Sequence, residues 1–112
     1  MQREIKFRAW DKKQSKLFTV SDIQFNEAEI GVYVTDQKTE ALPWDENIIL
    51  MQFTGLKDKN GKEVYEGDIV STNDGVSYPV DWVEDLAAFN VQKYFKPVVI
   101  GNIYENPELL TV

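Results

Sequence analysis

Cysteine and histidine are both absent from these 112 residues. Without cysteine there is no disulfide, no thiolate metal site and no thiol nucleophile. Without histidine the chain lacks the usual general base, the usual zinc ligand and the side chain that changes charge near neutral pH. Any chemistry would fall to carboxylates, lysine or tyrosine. The expectation is therefore a non-enzymatic protein with no catalytic residue, no metal and no cofactor. Apolar runs stay far below the roughly 18 residues of a membrane-spanning helix. The opening "MQREIKFRAWD" is charged and strand-like, unlike the apolar core of a signal peptide. A soluble intracellular domain without a membrane partner is expected.

Apolar side chains make up 43% of the sequence, with three Trp, five Tyr and six Phe, enough for a compact core and too many for a disordered chain. At this length a second core would be too small to stand alone, so residues 1–112 read as one domain. Charge is uneven. Residues 1–16 hold six bases against two acids, a local +4, and the remainder six bases against seventeen acids, a local −11, which together give −7. Overall repulsion from phosphate disfavours a general nucleic-acid binder and suits solubility or an acidic surface offered to a basic partner.

The dominant hydrophobic period is two. In "VSYPVDWV", Val76, Tyr78, Val80 and Trp82 fall on one face, and Pro79 places the strand at an edge or bulge. "AAFNVQ" repeats the pattern with Ala87, Phe89 and Val91. In "PVVIGNIYE" Gly101 marks a bulge or bend. "IILMQF" (48–53) is apolar on both faces, as a strand covered on both sides would be. Short helical turns are expected only in "SDIQFNEAE" (21–29) and in "NPELL" (106–110), the latter with Asn106 as N-cap and Pro107 at the first helical position. "ALPWDEN" (41–47) reads as a loop.

Turn signals punctuate the strands. "DKKQS" (11–15) joins the first two as a hairpin. Asp74-Gly75 and Asn60-Gly61 read as two-residue turns of the type I′ class, with positive φ at both central positions. Gly67 and Asp68 turn "KEVYE" into "DIVST", glycine tolerating the corner and aspartate bonding local N–H groups. The expected architecture is mainly β: small coiled sheets with an SH3-like barrel element.

Three ordered blocks then acquire a family likeness. "REIKFRAWDKKQSK", "LMQFTGLKDKNGKEVYEGDIV" and "VIGNIYENPELL" resemble the blocks of the YopX family of small phage and prophage proteins. The segments between them (17–47 and 72–96) carry no such match. The resemblance implies a mainly β fold with an SH3-like barrel element and a phage-encoded protein in the cytoplasm of a bacterial host. It implies no catalytic residue.

Four candidate surfaces remain. The carboxylates Asp58, Glu63, Glu66 and Asp68 could converge on Mg²⁺ as in nucleases, although their positions are also those of solvated turn charges and a corner aspartate. On the N-terminal hairpin, Lys6, Arg8 and Trp10 share a strand face, with Ile5, Phe7 and Ala9 turned inward, and Lys12, Lys13 and Lys16 crown the turn. A cationic strand with an aromatic suits a protein contact, a neighbouring acidic subunit or single-stranded nucleic acid. Trp44 in its loop would be a docking site if exposed. The aromatics Tyr33, Tyr65, Tyr78, Trp82, Phe95 and Tyr104 divide between core and interface. The functional expectation is an accessory protein that acts by binding protein or by self-assembly as a homo-oligomer. The alternatives are a nucleic-acid-associated factor using the basic hairpin and an acidic mimic of DNA.

Overall fold

A computed structural model describes residues 4–25, 30–34, 41–43, 46–91 and 97–110. The chain divides into two compact units, Lys6–Gln52 and Phe53–Val112 with Met1–Ile5. The described residues are mainly β, in antiparallel sheets.

The unit Lys6–Gln52 holds β1 (Phe7–Asp11), β2 (Lys16–Phe25), β3 (Ile30–Val34), β4 (Ala41–Pro43) and the first half of β5 (Ile48–Lys57), in the order β4-β3-β2-β1-β5. The first hairpin closes as its turn residues require. Asp11 pairs with Lys16, and the Asp11 carboxylate accepts bonds from the Lys13 N–H and the Gln14 side chain. Ser15 sits at φ 51°. Two expectations fail in this unit over the described parts of their segments; residues 26–29 and 44–45 lie outside the described residues. Residues 21–25 continue β2, because every one from Asp22 to Phe25 has a ladder partner on β3 and a lone helical turn offers fewer bonds. Ala41–Pro43 is a strand paired with β3, its proline tolerated because β4 lies at the edge of the order.

β5 passes into the second unit, where β6 (Glu63–Tyr65), β7 (Asp68–Ser71), β8 (Ser77–Pro79), β9 (Trp82–Val83), β10 (Ala88–Phe89) and β11 (Val98–Asn102) follow. The end of β5 pairs with β6, β7 lies between β11 and β8, and β9 pairs with β10. Between Phe53↔Tyr65 and Lys57↔Glu63, β5 has two residues more than β6. Thr54 absorbs this bulge: its hydroxyl donates to the Val64 carbonyl and accepts the Leu56 N–H. Gly101 stands at a second bulge, as its sequence context predicted. Val64, Val70, Val80 and Val91 form the buried cluster, packed by Leu56, Tyr78, Phe89 and Val99. β-branched valine suits a pleated sheet, and each such burial contributes about 1.5–3 kcal/mol.

Among the described residues no sheet closes into a barrel. β6 ends at a corner and β7 pairs with β8 and β11, while the Tyr65 N–H is taken by the Asp68 carboxylate. The strand read from Val76 to Val83 also divides. β8 is an edge strand that stops at Pro79, as proline's missing donor predicts, and β9 joins a separate two-stranded sheet. Val76 and Trp82 consequently stand exposed while Val80 is buried.

The tight turns are a different class from the two-residue turns expected. Asn60 and Asp74 do not have positive φ, whereas Gly61 (84°) and Gly75 (81°) do. Each glycine closes a three-residue loop. Asp58 donates to the Lys62 carbonyl and accepts from the Gly61 N–H. Thr72, Val76 and Gly75 repeat that pattern. Side chains select it: the Asp58 carboxylate bonds the N–H groups of Asn60 and Lys62, and the Thr72 hydroxyl bonds Asp74 and the Val76 carbonyl. Such loops need one left-handed residue where the two-residue turn needs two.

Candidate functional site

The central corner is built from two buried aspartates. Asp58 is 8% exposed. Its Oδ1 accepts the N–H groups of Asn60 and Lys62, both at 2.8 Å, and its Oδ2 accepts the Val99 N–H at 3.0 Å. Burial alone would raise its pKa. The three backbone donors, Val99, Lys62 and Asn60, together with the Lys62 charge, outweigh that and hold it below the ordinary aspartate value. The adjacent Lys59 N–H reaches the Pro97 carbonyl at 3.1 Å, so the loop is moored to the start of β11 at two points.

Asp68 is also buried, and its Oδ2 accepts the Tyr65 N–H at 2.8 Å. Its carbonyl accepts from Val80, while Gly67, at φ 87°, donates to the Val80 carbonyl and accepts from Ile103. The residues picked out as turn-makers therefore hold the corner, and the two best-placed carboxylates point into backbone donors. Glu63 and Glu66 are half-buried. Among the described residues no three acidic side chains gather as a cation site.

The basic hairpin is arranged differently from its alternation. Trp10 is 7% exposed, because β1 lies between β2 and β5 and the register sets it beside Leu17 and Ile49. Arg8, on the same face, is half-buried, with Nη2 3.7 Å from the Met51 sulfur. Lys6 is half-buried too, and Ile5, expected inside, is 69% exposed. Ala9 is fully buried as expected, and the crown also keeps its place. Lys12, Lys13 and Lys16 are exposed, and the Lys16 ammonium lies 4.8 Å from the Phe18 ring centre, within cation–π range. Trp44 and Phe95 lie outside the described residues, as does the side chain of Tyr33.

Two asparagines that sequence reasoning passed over organise the remaining loops. Asn90 donates to the Pro79 carbonyl and accepts the Asp81 N–H, both at 2.9 Å, stitching the strand break to β10. Asn102, buried at the end of β11, accepts the Tyr104 and Glu105 N–H groups and donates to the Glu105 carboxylate. The 3-10 turn Pro107–Leu110 follows where "NPELL" placed it. Asn106, however, directs its side-chain oxygen to the Asn102 N–H. For Asn102, an Asn two or three residues before a change of direction was the available signal; Asn90 bonds residues 9 and 11 positions earlier, which no local pattern marks.

Beside the β9–β10 hairpin lies a half-open recess of about 250 Å³, lined by Thr54, Leu56, Trp82, Ala87, Ala88, Phe89 and Val91. Trp82 and Phe89 are a cross-strand pair. Their rings meet edge to face, centroids 5.1 Å apart at 80°, the geometry aromatic quadrupoles favour. Trp82 remains 46% exposed, and Leu86, in the 3-10 turn Glu84–Leu86 that joins the strands, is 71% exposed. Ala87 follows at φ 49° and contributes only a methyl group, which keeps the recess open.

No curated protein matches the chain. Among solved structures, protein EF1440 from Enterococcus faecalis superposes with a TM-score of 0.70 at 26% identity, covering 97% of this chain and 99% of that one. A model of the YopX protein family matches residues 6–111, which contain the moored Asp58 loop, the Asp68 corner and the asparagine-capped end of β11. The chain belongs to the YopX family.

Proposed function

We propose that this YopX-family protein is a phage- or prophage-encoded accessory factor of the bacterial cytoplasm that acts by binding protein and not by catalysis. One observation carries the reading: a half-exposed tryptophan, set edge to face against Phe89, walls a half-open recess lined mainly by apolar residues. An indole held rigidly at the surface is costly to leave in water and loses little entropy on contact, which is why tryptophan dominates binding hot spots. The carboxylates best placed for chemistry are engaged elsewhere, Asp58 by three N–H groups and Asp68 by the Tyr65 N–H. The phage setting is supported by the family resemblance.

Site-specific photo-cross-linking tests the binding role. A photoreactive amino acid at Leu86, beside the recess, is compared with one at Asn73, in the exposed loop after β7, in cells that carry the gene. A discrete protein adduct formed from position 86 and absent from position 73 is the expected result. Equal labelling from both positions, or none, would remove the recess as the binding surface.

A second reading rests on the exposed Lys12, Lys13 and Lys16, which give the first hairpin a cationic crown suited to single-stranded nucleic acid or to an acidic neighbouring subunit. Salt-dependent retention of an oligonucleotide, lost in Lys12→Glu/Lys13→Glu, would favour it.

A further inference from the structure

The recess combines two features that a purely apolar ligand would leave unused. Trp82, Phe89, Leu56, Ala87 and Ala88 line it together with Thr54 and Val91. The hairpin that supplies most of them is acidic: from Val80 to Val91 the chain has three acids, Asp81, Glu84 and Asp85, and no base. All three are exposed. The nearest bases in sequence are Lys62, in the Asp58 loop, and Lys93, which lies outside the described residues. Asp81 immediately precedes Trp82. Its main chain is bonded on both sides to Asn90, and its Oδ1 accepts the Trp82 backbone N–H at 2.9 Å.

We infer that the recess takes an arginine side chain from a basic segment of the partner protein. This rests on the binding role proposed above and specifies its chemistry. An anionic group would be repelled by the hairpin, and a neutral aliphatic one would gain nothing from it. Arginine uses both features. Its three methylenes pack along Leu56 and the alanines while its charged end stays near water and the carboxylates. The planar guanidinium stacks on an indole face, and its weak hydration makes that contact less costly than for lysine. The recess is large enough to admit such a side chain, and the Trp82–Phe89 contact orients the indole before anything binds.

The test uses two dye-labelled dodecapeptides in a Gly-Ser background, one with four arginines and one with four citrullines, which keep the shape and lose the charge. Anisotropy should show the arginine peptide binding at least about tenfold more tightly. In ¹⁵N-labelled protein the Trp82 indole N–H resonance should move with the arginine peptide. Glu84→Gln/Asp85→Asn should weaken binding several-fold, while Glu46→Gln, at an exposed acid on the segment before β5, should not. Equal affinity for both peptides would overturn the inference and leave the binding role standing. Failure to bind up to about 1 mM would overturn it, as would binding with an unmoved Trp82 signal or equal loss at Glu46.

Discussion

Replacing Asp58 asks how much the central corner depends on one carboxylate. In Asp58→Ala three backbone donors lose their acceptor. Asn60 and Lys62 are exposed, so their N–H groups recover water and cost about 1 kcal/mol each. Val99 is half-buried, and stranding its N–H costs about 1–2 kcal/mol. The expected total is about 3–4 kcal/mol. Asp58→Asn should be milder. The amide oxygen can keep Asn60 and Lys62, but the amino group faces the Val99 N–H, donor against donor, for a loss of about 1–2 kcal/mol. Urea unfolding at pH 7 measures both, and amide exchange at Val99 reports the individual bond. The pH dependence has a definite sign. The folded pKa of Asp58 is lowered relative to the unfolded chain, so its contribution is complete above the ordinary aspartate value, near 4, and is lost as pH falls through the lower folded value. The gap between wild type and Asp58→Asn should therefore persist from pH 5 to 8 and narrow towards about pH 2. An Asn variant as stable as wild type at pH 7, or a gap that does not change in acid, would refute the reasoning.

Gly101→Ala should cost about 1–3 kcal/mol, because the new Cβ would meet the Asn106 side-chain oxygen at 2.6 Å and Leu109 Cδ1 at 2.9 Å. Gly61→Ala has open space but a φ of 84°, so about 1 kcal/mol is expected from backbone strain alone, and thermal melts of the two variants compare the mechanisms. Self-association through the cationic crown should appear in sedimentation equilibrium as a dimer at micromolar concentration that weakens towards about 0.5 M salt and in Lys12→Glu/Lys13→Glu. A monomer throughout would remove the oligomer. Arg8 is unsuitable for that test, since its packing on Met51 makes reversal there a folding mutation. A plasmid-nicking assay with Mg²⁺ or Mn²⁺ should show no cleavage; cleavage abolished by Asp68→Asn would restore the carboxylate set as a catalytic site.

Local chemistry made the corner legible. Asn60-Gly61, Asp74-Gly75 and Gly67-Asp68 act within a few residues of themselves, so their types and spacing were enough to find the turns. The class of turn was not legible, because the Asp58 and Thr72 side chains that select three-residue loops also read as ordinary surface polar groups. Alternation predicted strands well and faces poorly. It set Trp10 with Lys6 and Arg8 on an outward face, but whether a strand has neighbours on both sides depends on β2 and β5, not on its own five residues. Trp82 was grouped with Val80 because the pattern ran on through Pro79; the edge position that proline enforces broke it. The Trp82–Phe89 recess was visible only as two aromatics in neighbouring alternating runs. Trp44, a docking site if its loop exposes it, lies outside the described residues.

The bond from Asp58 to Val99 also bears on the order in which the chain acquires its structure. The hairpin around Asn60-Gly61 closes over a handful of residues and can form on the microsecond scale. The same carboxylate finds its third donor 41 residues further along. Closing that span carries an entropic penalty that the hairpin alone does not incur, and contacts of this separation slow folding. Asp58 thus belongs to an early event through one oxygen and a late one through the other. Kinetically, Asp58→Asn, which spares the first and disrupts the second, should speed unfolding far more than it slows folding. A folding arm slowed as much as the unfolding arm is accelerated would mean that β11 is already docked in the transition state.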